Sequence, residues 1–198
     1  VSIMSVLLGT VIGLMAAMIK LNADRKKKET VLSRIIHIYV DVIRGTPSVL
    51  QLMIVYFAVF HSRLGYVAAV VSFGINSGAY VAEIFRAGIQ SIDKGQMEAS
   101  RALGLNWFQA MRFVIMPQAF KRIIPPLGNE FIAMLKDSSL VSVIGFEELT
   151  RTGQLIISRT YAAFEIWIVV ALLYLIMTLA ISRFVALLEK RFSKGTRK

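Results

Sequence analysis

Long apolar runs separated by charged stretches divide the 198-residue chain into five segments. Three of these segments, residues 1–19, 64–82 and 166–182, contain no Asp, Glu, Lys or Arg. A helix of about 20 apolar residues spans the hydrocarbon core of a bilayer, because each residue rises about 1.5 Å and the core is about 30 Å thick. The pattern therefore predicts three membrane-spanning helices.

The other two apolar segments carry charges inside them. Residues 35–60 include Asp41 and Arg44, and residues 123–144 include three charged side chains. Charges are costly in the middle of a spanning helix, so hydropathy alone leaves both segments open.

Lysine and arginine test the five-helix pattern, because they accumulate in the cytoplasmic loops of membrane proteins. If the chain crosses five times and enters from outside, eighteen Lys and Arg residues lie on the cytoplasmic side and four on the outer side. The cytoplasmic set is Lys20, Arg25, Lys26, Lys27, Lys28, Arg34, Arg86, Lys94, Arg101, Arg112, Lys121, Arg122, Arg183, Lys190, Arg191, Lys194, Arg197 and Lys198, and the outer set is Arg63, Lys136, Arg151 and Arg159. This asymmetry favours five spanning helices and a cytoplasmic C-terminal tail, residues 189–198.

Gly45, Thr46 and Pro47 interrupt the second segment. Proline removes a helix hydrogen bond, and Thr46 can cap a helix that restarts at Pro47. We expect a kink or hinge at these three residues. Asp41 lies one turn before Arg44, so the two charges are expected to neutralise each other.

The composition also fits a membrane protein, with 56% hydrophobic residues, 18% charged residues and a mean hydropathy of +0.65. The net charge is +11, but the basic residues flank apolar helices and do not form one water-facing surface, so nucleic-acid binding is not expected. There is no cysteine, and His37 and His61 are isolated, so we expect neither a metal site nor a catalytic group. Because the chain begins at Val1 without a methionine, we expect that its start is trimmed.

One polar loop, residues 91–118, carries many bulky apolar side chains. From Gly95 the chain runs GQMEASRALGLNWFQAMRFVIMPQAF, with an amphipathic helical piece on either side of Gly104. Glycine allows a sharp turn there, and the small residues before it can enter a cleft. An exposed apolar surface of this kind predicts docking onto another protein. The alternative is an amphipathic helix that lies on anionic lipid.

This loop resembles the signature of the integral-membrane subunits of binding-protein-dependent ABC importers, specifically those for polar amino acids. Their signature is Glu-Ala-Ala, three residues, Gly, nine residues, Ile, one residue, Leu-Pro. The residues that match at their spacing are Glu98, Ala99, Gly104 and Pro117, and conservative replacements stand at Ser100, Val114 and Met116. Three more stretches resemble the amino-acid branch: DVIRGTP from residue 41, NSGAYVAEIFRAGIQS from residue 76 and LGNEFIAMLKDSSLVSVIG from residue 127.

The resemblance implies an all-α membrane protein with the ABC type I importer permease fold: about five transmembrane helices in a single domain, residues 1–198, and a cytoplasmic coupling helix. It implies a second permease, identical or paralogous, two copies of an ABC ATPase subunit, an extracytoplasmic amino acid binding protein and a bacterial inner membrane. The implied ATPase-coupling residues are Gln96, Glu98, Ala99, Ser100, Arg101, Gly104 and Pro117. ATP and Mg are expected on the partner ATPase and no cofactor on this chain, which has no G-x-x-x-x-G-K-[ST] phosphate loop and is not expected to be an enzyme.

Polar residues in and beside the third and fourth predicted helices are candidates for a substrate pathway, because charges inside a membrane are usually functional. Asn76, Tyr80 and Glu83 recur at i, i+4 and i+7, on one helical face. The same spacing places Glu130, Met134 and Asp137 on one face, with Asn129 and Ser138 beside them. The carboxylates would bind the ammonium group of an amino acid, and amides, hydroxyls or helix ends its carboxylate.

Other interpretations of these residues are open. Glu83 and Arg86 could form a structural ion pair at a helix boundary, and Asp137 could belong to an outer gate. The chain could also be an ion-coupled secondary amino acid transporter or channel that uses Glu83, Glu130 and Asp137 as a relay, or a membrane scaffold. The loop signature favours the importer. The acidic residues would suit a cationic substrate, whereas residues 136–139 resemble the glutamine-type branch, so we predict glutamine or broad polar specificity.

Overall fold

The computed structural model describes residues 1–26 and 29–193, which form helices and connecting turns with no strand among them. The helices are α1 (Ser2–Lys26), α2 (Val31–Gly45), α3 (Ser48–Ile54, continued by the π-helical turn Val55–Val59), α4 (Gly65–Gln90), α5 (Lys94–Ala102), α6 (Trp107–Ala110, continued by the π-helical turn Met111–Ile115), α7 (Met116–Asp137, continued by the 3-10 turns of Ser138–Ile144), α8 (Leu149–Thr160) and α9 (Ala163–Ser193). The predicted all-α class is confirmed. Lys27, Lys28 and residues 194–198 of the predicted tail lie outside the described residues.

Among the described residues, three helical stretches are long and apolar enough to cross a membrane: Ser2–Arg25, Gly65–Gln90 and Ala163–Arg191. The pair Val31–Gly45 and Ser48–Val59 is a fourth candidate, bent by 109°. The predicted segment 123–144 corresponds to α7 and its 3-10 extension, and its charged residues lower its hydropathy below that of a spanning helix. That α7 crosses the membrane stays a prediction. Its packing against α1, α4 and α9, all three of which are apolar enough to span, supports it.

The break between α2 and α3 falls at Gly45, Thr46 and Pro47. Its hydrogen bonds differ from the expected ones. The Thr46 hydroxyl donates to the Val42 carbonyl (2.8 Å), and Pro47 takes the N-cap position of α3, which has no side-chain cap. The amide of Gln51 satisfies the free end of α2 by donating to the carbonyl of Ile43 (2.8 Å) and to Thr46. The chain can therefore turn sharply without leaving these carbonyls unpaired.

The expected Asp41–Arg44 ion pair is absent from the described part of the chain. The guanidinium of Arg44 lies over the ring of Tyr80 on α4, with its central carbon 5.2 Å from the ring centroid. An arginine over the face of an aromatic ring is attracted by the ring quadrupole. Arg44 therefore bridges the broken helix and α4.

The most extensive helix packing is between α1 and α4. Small residues recur every four positions on both helices, with Gly9 and Gly13 on α1 and Gly74 and Gly78 on α4. A methyl group on Gly13 would lie 2.6 Å from Cβ of Val81, so glycine is needed for the two backbones to approach this closely. Close packing of small residues is the main attraction between helices in lipid, where the hydrophobic effect does not drive association.

The segment 145–163, which lies between the fourth and fifth predicted helices and for which no helix was predicted, contains helix α8. Glu148 caps its first turn, since the carboxylate accepts hydrogen bonds from the backbone amides of Thr150 (2.8 Å) and Arg151 (2.7 Å). The same carboxylate accepts from the hydroxyl of Tyr174 on α9 (3.0 Å). Residue 148 therefore fixes both the start of α8 and its position on α9.

Candidate functional site

A cavity of about 300 Å³ lies at the break between α2 and α3 and is closed by α4 and α7. We call it the outer cavity. Its lining residues are Thr46, Pro47, Ser48, Asn76, Tyr80, Glu130, Ala133, Met134 and Asp137. Five of the predicted pathway residues therefore meet at one cavity, which is of the size that takes a small ligand. The other three pathway candidates, Glu83, Asn129 and Ser138, do not line it.

Two carboxylates, Glu130 and Asp137, give the outer cavity an acidic wall. They lie seven residues apart on α7, so they face the cavity from positions two turns apart, about 10 Å along the helix. Such a wall can accept hydrogen bonds from an ammonium group. The Thr46 hydroxyl at this cavity already donates to the Val42 carbonyl, and the Ser48 hydroxyl lies beside Asp137. The cavity can hold a small molecule that carries a positive group.

Asn76 is held in place by Gln51, a residue that sequence reasoning missed. The amide nitrogen of Asn76 donates to the side-chain oxygen of Gln51 (2.9 Å), and the Gln51 nitrogen is bound to the end of α2. The available signal was a glutamine four residues after Pro47 in an otherwise apolar stretch. Gln51 joins the broken helix to α4 and so fixes one wall of the outer cavity.

Glu83 forms a buried ionic cluster that the sequence showed only in part. It accepts hydrogen bonds from Arg86 (2.8 Å), as one of the open interpretations expected, and from Lys20 of α1 (2.5 Å). The Lys20 side chain is 4% exposed and that of Glu83 is 18% exposed. Lys20 lies inside α1 and not in a connecting loop, and its side chain reaches α4; its place on the cytoplasmic side stays a prediction.

The cluster extends to the end of α1. Arg86 donates to the side chain of Gln90 (2.9 Å), and Gln90 donates to the carboxylate of Asp24 (2.9 Å). Two cations thus surround the one carboxylate of Glu83. Its negative charge is compensated within the protein, which leaves it a weak binder of a cationic ligand.

A second cavity, of about 530 Å³, lies next to Glu83. We call it the inner cavity, because the charge distribution of the loops predicts that it lies nearer the cytoplasm than the outer one. It is lined by Arg44, Tyr80, Glu83, Ile84, Ala87, Gly88, Ser91, Arg122 and Pro126. Glu83 therefore belongs to this cavity and does not join Asn76 in the outer one.

The loop 91–118 exposes the apolar surface that its sequence predicts. Leu103 is 84% exposed, Phe108 65% and Phe113 64%. Most of the predicted coupling residues are exposed with them: Gln96, Glu98, Ala99, Arg101, Gly104 and Pro117. Ser100 is 3% exposed and its hydroxyl donates to the Gln96 carbonyl (2.6 Å), so it packs against its own chain and supports α5 from behind.

Gly104 ends α5 with a tight turn. Its φ is +85°, a left-handed conformation that favours glycine. The amide of Leu105 donates to the carbonyl of Ser100 (3.2 Å) and that of Gly104 to the carbonyl of Arg101 (3.0 Å), the two bonds of a Schellman motif. At the other end of the loop Arg122 donates to the Ser91 carbonyl, and Arg25 of α1 lies over Trp107 at 4.6 Å from the ring centroid. The loop is thus anchored on α7, which lines both cavities, and on α1.

Spanning helices, a broken helix beside a polar cavity, and an exposed apolar loop on one side define a polytopic membrane transport component that docks onto another protein. The model of the binding-protein-dependent transport system inner membrane component family matches residues 9–194. The chain belongs to this family.

Two curated relatives are similar in sequence to this chain over nearly its whole length. The glutamine transport system permease protein GlnP of Escherichia coli (strain K12) is 45% identical over 196 residues, which cover 96% of this chain and 87% of that protein. The putative glutamine transport system permease protein GlnP of Rickettsia typhi is 40% identical over 194 residues, with the same coverage.

Solved structures share the fold. The crystal structure of an amino acid ABC transporter with histidines has a chain that is 44% identical, with a TM-score of 0.86, covering 96% of this chain and 88% of that one. An inward-facing conformation of the MetNI methionine ABC transporter is 21% identical, with a TM-score of 0.79 and coverage of 96% and 90%, and shows the fold alone. The predicted type I importer permease fold is thereby confirmed.

Proposed function

We propose that this chain is the permease subunit of an ABC importer that carries a polar amino acid, glutamine or a broad range of polar amino acids, into the cytoplasm. The observation that carries the proposal is the similarity over 96% of the chain to a glutamine transport system permease, at 45% identity. The acidic outer cavity, which Glu130 and Asp137 line, suits the ammonium group of such a substrate.

The proposed complex contains a second permease, identical or paralogous, two copies of an ABC ATPase subunit that bind ATP and Mg, and an extracytoplasmic amino acid binding protein. The exposed apolar residues around Gly104 support the ATPase contact, because an unpartnered apolar surface on a polar loop is a docking surface. The chain lies in the bacterial inner membrane with its C-terminus in the cytoplasm. Differential binding of ATP to two conformations supplies the energy, which α5 transmits to the helices.

Reconstitution tests the proposal. The permease, its ATPase subunit and its binding protein are placed in proteoliposomes, and uptake of tritiated L-glutamine and of a panel of other polar amino acids is measured with and without ATP. We expect ATP-dependent uptake, faster ATP hydrolysis when the loaded binding protein is added, and no ATP hydrolysis by the permease alone. If no polar amino acid gives uptake or stimulation, the assignment is wrong.

The alternative left open by the sequence, an ion-coupled secondary transporter or channel, makes a different prediction. Uptake would then follow an imposed sodium or proton gradient without nucleotide, and removal of the ATPase subunit would not reduce it. The family match favours binding-protein-dependent transport. The same proteoliposomes, energised by a gradient in place of ATP, separate the two mechanisms.

A further inference from the structure

The two cavities are stacked in the same order along three separate elements. On α4, Asn76 lines the outer cavity, and residues from Glu83 to Ser91 line the inner one. On α7, Arg122 and Pro126 line the inner cavity, and residues from Glu130 to Asp137 line the outer one. On the broken helix, Arg44 faces the inner cavity and the next lining residues, from Thr46 on, face the outer one. The cavities therefore form two steps of one path along the helices.

Among the described residues, Tyr80 is the one that lines both cavities. Its ring is held by the guanidinium of Arg44, which approaches it from the last turn of α2. The aromatic ring therefore forms the partition between the two steps. A molecule that leaves the outer cavity along this path meets Tyr80 and then the groups behind it.

The groups behind Tyr80 are cationic. Arg44 and Arg122 line the inner cavity, and neither forms an ion pair with a carboxylate among the described residues. Glu83, the one carboxylate among the described residues that line this cavity, is bound by Lys20 and Arg86, so its negative charge is compensated and does not oppose the two arginines. The outer cavity has the opposite character, with Glu130 and Asp137 on its wall.

Resting on the proposed function, we propose that the inner cavity is a second binding station, in which Arg44 and Arg122 hold the carboxylate group of an amino acid after it has passed Tyr80. Arginine binds carboxylates through parallel hydrogen bonds in a geometry that lysine lacks. A zwitterion would thus be held first by its ammonium group on the acidic side and then by its carboxylate on the basic side. Because a different group of the substrate is bound in each cavity, the substrate has a favourable contact at each step towards the cytoplasm.

Equilibrium binding tests this station in the intact complex. Permease and ATPase subunit are placed in nanodiscs of phosphatidylcholine, without nucleotide or binding protein, and binding of tritiated L-glutamine is measured by dialysis. We expect a two-step isotherm for the original protein. In both Arg44→Gln and Arg122→Gln, we expect the affinity of one of the two steps to fall by about tenfold or more. Arg44→Lys and Arg122→Lys, which keep the charge, should recover part of the affinity, and Arg183→Gln, an exposed arginine on α9, should bind like the original protein.

A competitor separates the two stations by their chemistry. The amine 4-aminobutanamide has the side-chain amide and ammonium group of glutamine but no carboxylate, so we expect it to displace glutamine from the outer station only. The inference would be overturned by a single-step isotherm when the original protein is titrated to saturation with L-glutamine. It would also be overturned if Arg44→Gln and Arg122→Gln both gave the isotherm of the original protein. Uptake in the proteoliposomes described above would continue in that case, whereas failure of the proposed function would abolish uptake for every amino acid.

Discussion

Lys20 and Glu83 show how a charge is made tolerable between two apolar helices. Lys20 is buried, Glu83 is half-buried, each neutralises the other, and Arg86 completes the cluster. Lys20→Met leaves the carboxylate with one partner. Removing one member of a buried pair typically costs about 3 to 5 kcal/mol. We expect the loss here to fall below that range, because Arg86 remains, and to appear as a lower melting temperature of the purified complex.

The double variant Lys20→Met with Glu83→Gln provides the decisive comparison. It removes both charges, so we expect it to melt above Lys20→Met alone. Lys190→Met, at an exposed position of α9, is the matched control and should melt like the original protein. If the double variant is the least stable of the three, the pair does not act as described.

Gln51 carries a second prediction at the scale of one side chain. Gln51→Leu keeps the volume but removes the bonds to Ile43 and Asn76. Each lost hydrogen bond is worth about 1 kcal/mol net, and more where a buried group is left unpaired. We expect lower stability and slower uptake, because the α2 end and the outer cavity wall both loosen. Gln154→Leu, which removes a bond to Arg151 on α8, should leave uptake unchanged, and equal losses in the two variants would contradict this role.

These residues also show which parts of the site a sequence can reveal. Asn76 and Tyr80 share a helical face through their spacing, so the sequence was enough to group them, as it was for Glu130 and Asp137. Lys20 and Gln51 act through partners 63 and 25 positions away, and no local pattern records those contacts. Glu83 had the right spacing for the outer cavity, but it lies three residues beyond Tyr80 and thus behind the partition.

The α1–α4 pair is the structural core at the scale of helices. A methyl group on Gly78 would lie 2.8 Å from Cγ2 of Ile12 and 2.9 Å from the hydroxyl oxygen of Tyr39. Gly78→Ala should therefore push α1 and α2 away from α4, at a cost of about 1 to 3 kcal/mol. At Gly45 a methyl group meets nothing within 4 Å, so Gly45→Ala is the matched control. A thermal melt in which both variants behave alike would count against close packing at Gly78.

Helix α5 carries a prediction about coupling. Glu98→Lys reverses one exposed charge on the proposed docking surface without disturbing the buried Ser100. We expect the complex to lose ATP hydrolysis stimulated by the loaded binding protein, and with it uptake, while the permease keeps its melting temperature. Glu189→Lys, the same change near the end of α9, should preserve both activities. Full stimulation in Glu98→Lys would instead support a scaffold or an uncoupled transporter.

At this scale the sequence predicted the helices that are uniformly apolar and missed those that depend on context. The helices predicted at residues 1–19 and 166–182 were correctly placed, because no charged residue interrupts these apolar segments. Helix α8 was missed because its amphipathic pattern is short and its start depends on Glu148, whose partner Tyr174 lies on another helix. The sharpness of the bend at Pro47 also could not be predicted, since it depends on Gln51 replacing the lost helix bonds.

At the scale of the whole molecule, one aromatic ring interrupts the proposed path through the two cavities. An importer must prevent its substrate from leaking back out of the cell. The barrier between the outer and inner cavities therefore has to stay closed when no ATP drives the helices apart. Tyr80 occupies that position, and Arg44 holds its ring. The barrier is thus built where the broken helix meets α4.

Tyr80→Ala should open this barrier. We expect proteoliposomes that contain the variant complex and are loaded with tritiated L-glutamine to leak it without ATP, because the two cavities then join. Tyr80→Phe keeps the ring, and with it the attraction to Arg44, so it should hold glutamine as the original protein does. If Tyr80→Ala retains glutamine while its ATP-driven uptake persists, the barrier lies elsewhere along the path, and Tyr80 serves only as a wall of the two cavities.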